Sequence, residues 1–180
     1  PMIHGRVNNE IDDYLTGQPV RFESKFSAIA PVYRWRIKGR TYLGAQAQIS
    51  DVAYSARDEF SGDYLDRIEA EDTTQTGIGT VLTRDSRDNQ LYPYSGSYAE
   101  INALVYTGMF GNDSRYETVK AEFKKFHELG REKILAWRIF GQFGFGDTDY
   151  GSKAKLGRGS DLRGYTSGEY FADNMITVQA

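Results

Sequence analysis

Apolar and polar side chains alternate with a period of two along most of this chain, and turn residues bound each alternating stretch. From Val20, one run sets Phe22, Phe26, Ala28, Ala30 and Val32 against Arg21, Glu23, Lys25 and Ser27, until the turn "KGR" closes it. From Thr41, Leu43, Ala45, Ala47 and Ile49 oppose Tyr42, Gln46, Gln48 and Ser50, so these two runs predict a hairpin. A third run, "TGIGTVLTRD", leads into the turn-rich "SRDNQLYPYSG". The fourth sets Ala99, Ile101, Ala103 and Val105 against Tyr98, Glu100, Asn102 and Tyr106. After "TGMFGNDS", Val119, Ala121 and Phe123 oppose Thr118, Lys120, Glu122 and Lys124; this stretch is also rich in helix formers, and a helix is its competing reading. The sixth run is the clearest, with Leu135, Trp137, Ile139, Phe143 and Phe145 alternating with Ala136, Arg138, Gln142 and Gly144, and a seventh begins near Asn174. No linker or low-complexity tract interrupts the series. The pattern predicts an all-β chain, an antiparallel meander of about seven strands in a single domain over residues 1–180.

Alternation does not say which face meets water. In a soluble sandwich or barrel the apolar face is the core, whereas in a membrane barrel it meets lipid and the polar face lines a wet lumen. Three features favour the membrane. The runs are roughly 10–15 residues long, which suits tilted spans better than the ordinary strand of ~5–6 residues. Tyr, Trp and Phe gather near their ends, as interfacial girdles do. The connections "KGR", "SRDNQLYPYSG" and "ELGRE" fall at one end, and the long acidic stretch from Asp51 to Asp72 and the segment from Asp147 to Asp173 at the other. Short turns at one end and long loops at the other are the habit of outer-membrane barrels.

Composition narrows the function classes. A net charge of −3 gives no basic field for nucleic acid. With no cysteine there is neither a disulfide scaffold nor a thiolate metal site. "GDTDYGSK" spaces its glycines like a phosphate loop but has Ser152 before Lys153, and "GQFGFG" lacks the βαβ setting of a dinucleotide fingerprint. His4 and His127, far apart in sequence, are too little for a metal centre or a triad, and His127 reads as a girdle or turn residue. The acidic residues Asp58, Glu59, Asp63, Asp66, Glu69, Glu71 and Asp72 read as a solvated loop, with divalent cations bridging lipopolysaccharide as the sharper alternative. No catalytic, cofactor or metal site is expected. The opening "PMIHGRVNNE" has no charged n-region or apolar h-region, and the chain reads as a piece truncated at both ends.

Two motifs carry a resemblance. "GIGTVLTRDSRDNQLYPYSGSY", with Gly77, Gly79, Asp85, Arg87, Asp88, Pro93 and Gly96, and "LGRGSDLRGYTSGEY", with Gly159, Ser160, Leu162, Arg163, Gly164 and Tyr165, occur in order with two strands between them. In this the chain, from about Val20 to Ala180, resembles the BamA/TamA superfamily of outer-membrane barrels, the bacterial surface antigen family. The resemblance implies that the strands are a middle portion of a sixteen-stranded barrel, whose lipid-facing side would carry Leu135, Trp137, Ile139 and Phe143. It implies that the second motif is a loop folded back into the lumen, with Arg163 as a bidentate latch that a lysine does not replace. It implies a non-enzymatic role in outer-membrane protein assembly or translocation, with lipid, lipopolysaccharide and unfolded outer-membrane proteins as partners. A passive barrel or pore and a soluble β-barrel binding module are the competing readings.

Overall fold

The computed structural model describes residues 2–13, 15–107, 115–130, 133–148, 150–157 and 170–180. One antiparallel sheet carries β1 (Met2–Asp12), β2 (Pro19–Ile29), β4 (Thr41–Ala56), β5 (Thr73–Asp85), β6 (Gly96–Tyr106), β7 (Tyr116–Gly130), β8 (Lys133–Gly146) and β11 (Asn174–Gln179), in that spatial order. A further strand, β3 (Val32–Lys38), pairs with the lower part of β4, and β9 (Ala154–Lys155) with β10 (Phe171–Ala172) forms a separate small ladder. The all-β meander read from the pattern is what the chain forms. The ambiguous fifth run is strand throughout, fifteen residues long and paired on both sides.

Three elements differ from the sequence reading. β1 adds a strand before the first run: its inward positions, Ile3, Gly5, Val7, Asn9 and Ile11, are diluted by glycine and asparagine, so alternation is faint there. The run from Val20 to Val32 is broken at Ala30–Pro31, where proline lacks the N–H a continuous ladder needs; β2 and β3 then pair in series with β4. The hairpin closed by "KGR" is therefore β3 with β4. Finally, the acidic stretch is not one long loop. β4 runs on to Ala56, and an α-helix, α1 (Glu59–Arg67), follows. Asp58 caps it, its carboxylate accepting from the Ser61 N–H at 2.8 Å.

The sheet has two unlike faces. Ile78, Leu82, Ile101, Val105, Ile139, Ile176 and Val178 stand exposed on the convex side. The concave side carries Gln48, Ser50, Gln75, Thr118, Lys120 and Gln142 around a cavity of about 690 Å³. Gln46 on β4 and Asn102 on β6 reach each other across β5, above Gly79, by reciprocal amide hydrogen bonds of 2.8 and 2.9 Å. Among the described residues no helix is long and apolar enough to cross a membrane, which does not bear on strands.

At the upper end of β1, β2 and β4 the assignment reverses. Val20 and Phe22 point inward and, with Ile11, receive Tyr64 and Leu65 of α1 in a small buried core. Arg21, Glu23, Lys25 and Ser27 point outward instead.

Candidate functional site: the inner wall and the strand turn

The turn between β5 and β6 is fixed by the side chains of the first motif. Asp85 accepts from Arg87 Nη2 at 2.7 Å and Nε at 2.9 Å, the bidentate geometry of a planar fork. The same guanidinium lies over the Tyr98 ring at 4.9 Å and donates to the Gln90 carbonyl at 3.1 Å. Asp88 closes the turn from within, accepting from the N–H groups of Asn89, Tyr94 and Ser95. Desolvation works to raise its carboxyl, but these N–H groups win and hold it below the ordinary carboxylate value. Pro93 lies in the same turn, half-buried. Gly96 leaves it at φ +101, where a side chain would also run into the Ser86 carbonyl.

Gly77 and Gly79 have a different task. A Cβ on Gly77 would stand 2.8 Å from the Tyr106 ring, and one on Gly79 would overlap the Ala103 carbonyl. Both glycines thus permit the close approach of β5 to β6. The motif is one structural unit, two strands and the turn that joins them.

Above this turn a belt of charge crosses the inner wall. Glu100 accepts from Tyr98 Oη at 2.7 Å, Thr83 Oγ1 at 3.1 Å and Arg34 at 3.4 Å. Glu122 holds Arg138 at 2.6 Å and Lys124 at 3.0 Å. Glu100, Glu122, Lys124 and Arg138 occupy polar positions of alternating runs, a pattern that puts them on one face without saying what that face meets.

Leu135, Trp137, Ile139 and Phe143 project from the convex face of β8, Trp137 tilted against Phe123 at 5.2 Å, while Arg138 and Gln142 project from the concave one. The segment after β8 then turns inward. Ser152 receives hydrogen bonds from Gln75 on β5 and, at its carbonyl, from Gln142 on β8. Tyr150 is buried between Tyr54 and Phe171, with ring centroids 5.8 and 5.0 Å away. The approach to the second motif therefore lies against the inner wall. Its own residues, Gly159, Ser160, Leu162, Arg163, Gly164 and Tyr165, lie outside the described residues.

Two of the acidic residues make contacts that hold this connection in place. Asp58 is the cap, and Asp72 accepts from the Tyr54 N–H at 2.8 Å. Among the described residues no group of three or more His, Asp or Glu side chains is placed to hold a metal. His127 sits near the lower end of β7, opposite Leu135.

Compared with known families, residues 8–172 match the Omp85 superfamily domain. A search of curated proteins found no match. The chain belongs to the Omp85 superfamily, whose members are outer-membrane proteins of protein assembly and translocation.

Proposed function

We propose that this member of the Omp85 superfamily forms the middle of a BamA/TamA-type barrel in the outer membrane and assists insertion or translocation of unfolded outer-membrane proteins without enzymatic chemistry. One observation carries the reading: across β5 to β8 an exposed apolar convex face backs a concave wall of charged and hydrogen-bonded side chains, the reverse of a soluble barrel. In this reading Leu135, Trp137, Ile139 and Phe143 face lipid. The connections carrying α1 and the second motif face the outside and its lipopolysaccharide, and the short turns face the periplasm.

Tyr150 and Ser152, on the approach to the second motif, pack against the inner wall, which supports the role the resemblance implies for Arg163, a latch inside the lumen. An arginine serves there because its planar fork keeps two directed donors in a confined polar space.

The test uses the full-length protein folded into phospholipid vesicles and an unfolded barrel protein as substrate. Vesicles carrying it should fold the substrate faster than empty ones, and Arg163→Ala should reduce that acceleration, with Arg163→Lys restoring part. Ion conductance without acceleration would instead make it a passive pore.

A further inference from the structure

The segment after β8 crosses the concave wall instead of staying beside its own strand. Ser152 bonds to Gln142 on β8 and to Gln75 on β5, and Tyr150 reaches Tyr54 on β4, although β5, β6 and β7 separate β4 from β8 in the sheet. The returning chain is tied to it: β9 pairs with β10, and the Leu156 N–H donates to the Tyr170 carbonyl at 3.0 Å. Together they make a strap across the inner face.

The far end of the strap is held by aromatic contact. Gln75, Gln142 and Ser152 border the cavity, where a hydrogen bond lost to the protein is readily replaced by one to water, so their bonds hold the strap only weakly. Tyr150 has no such substitute. It is 3% exposed, its ring set edge-on to Tyr54 and Phe171, and Lys155 Nζ lies 3.6 Å from the ring centre. Tyr54 in turn lies 6.3 Å from Phe22 and packs against the core that Tyr64 and Leu65 of α1 complete. Tyr64 acts on Tyr150 directly as well: burial first, and Tyr64 after it, hold the Tyr150 hydroxyl above its ordinary value. The connection from β4 to β5 and the segment after β8 therefore share one aromatic cluster.

We propose that α1 is a clamp on this strap, with Tyr64 and Leu65 seating Phe22 and Tyr54 and these seating Tyr150, so that α1 and residues 150–156 open together. A ring covered by two elements loses cover when either leaves, and the opening of each then costs less once the other has opened. The inference rests on the function proposed above only for its consequence, that α1 governs how firmly the approach to the second motif is held.

The experiment follows hydrogen exchange in the folded full-length protein, each variant first shown to be folded by a heat-shifted gel band. Leu65→Ala should speed exchange in α1 and in residues 150–156 together, each by about tenfold, the part of a large-to-small loss that reaches a local opening. Tyr150→Ala should speed exchange in α1 from the other side, since coupling is reciprocal. Tyr150→Phe keeps the ring and should match the parent. Combining Leu65→Ala with Tyr150→Ala should add less than the two separate effects. Asp85→Asn, in the strand turn at the opposite end, should leave residues 150–156 as protected as in the parent. A Leu65→Ala variant that frees α1 alone, a Tyr150→Ala variant with α1 still protected, or an Asp85→Asn variant that loosens residues 150–156 as much would overturn the inference. Exchange is read without substrate, so coupled opening in a protein that does not speed substrate folding would overturn the proposed function and leave the clamp standing.

Discussion

The strands β5 to β8 and the upper ends of β1, β2 and β4 obey the same alternation and assign it in opposite ways. Across β5 to β8 the apolar side chains Ile78, Leu82, Ile101, Val105 and Ile139 stand on the convex face, and polar ones such as Thr83, Glu100 and Asn102 bond to their neighbours along the concave wall. At the upper end of β2 the apolar Val20 and Phe22 point inward and the charged residues outward. The difference is what covers the inner face. Where α1 lies against it, Tyr64 and Leu65 supply an apolar partner and the wall beneath must be apolar too. Away from α1 the wall carries Gln75, Thr118, Lys120 and Gln142 around the cavity. A period of two fixes which residues share a face and leaves open which solvent that face meets.

The largest expected effect breaks this comparison at its centre. Ile139→Arg, on the convex face of β8, should cost roughly 2–4 kcal/mol in the full-length protein in vesicles if it sits near the bilayer midplane. Ser55→Arg, on the outer face of upper β4 opposite Glu23, should stay within about 0.5 kcal/mol. Equilibrium unfolding of both variants decides it. Equal costs would mean that the two outer faces meet the same medium.

A smaller effect tests how closely β5 and β6 approach each other. Gly79→Ala places a methyl against the Ala103 carbonyl, backbone that gives way only by moving the strand. It should cost about 1–3 kcal/mol, as overpacking does. Gly62→Ala on α1, where the nearest atom stands 3.8 Å away, should be neutral or stabilising, since alanine favours the helix. Hydrogen exchange across Gly77–Asp85 and Glu59–Arg67 separates the two.

What the sequence made legible follows the same physics. The runs from Thr41 onward were readable because each alternates without a break and pairs with its neighbour in chain order. The short turns were readable from Gly39, Asp88 and Gly96. α1 was not, because Asp58, Glu59, Asp63 and Asp66 hide a short apolar stripe, Phe60, Tyr64, Leu65 and Ile68, whose spacing is helical but whose length is two turns. β1 was missed because its inner face includes Gly5 and Asn9. The charge belt of Glu100, Glu122 and Arg138 lay in plain view at polar positions, yet nothing in a single sequence tells a lumen-facing glutamate from a solvent-facing one. The match to the Omp85 domain, which reaches residue 172, supports the family read from the two motifs and leaves the role of Arg163 to experiment.

The smallest effect sharpens the comparison through pH, because carboxylates fasten α1 to the wall. Desolvation works to raise the Asp13 carboxyl, but Arg67 at 2.8 Å, Thr16 and the Leu15 N–H outweigh it and hold the group below its ordinary value. Asp58 is lowered by its hydrogen bonds to Ser61, with Arg21 adding a weaker attraction. A carboxyl lowered by folding stabilises the folded form above its unfolded value of about 4, and that contribution fades as pH falls through the lowered value. Acid should therefore loosen α1 from Val20 and Phe22 while β5 to β8, held by ladders and apolar contact, stay closed. Hydrogen exchange of Glu59–Arg67 followed downward from neutral pH is the measurement. Asp13→Asn should loosen the helix already at neutral pH and flatten the remaining acid response, and a helix equally protected at every pH in both proteins would show that these carboxylates do not fasten it.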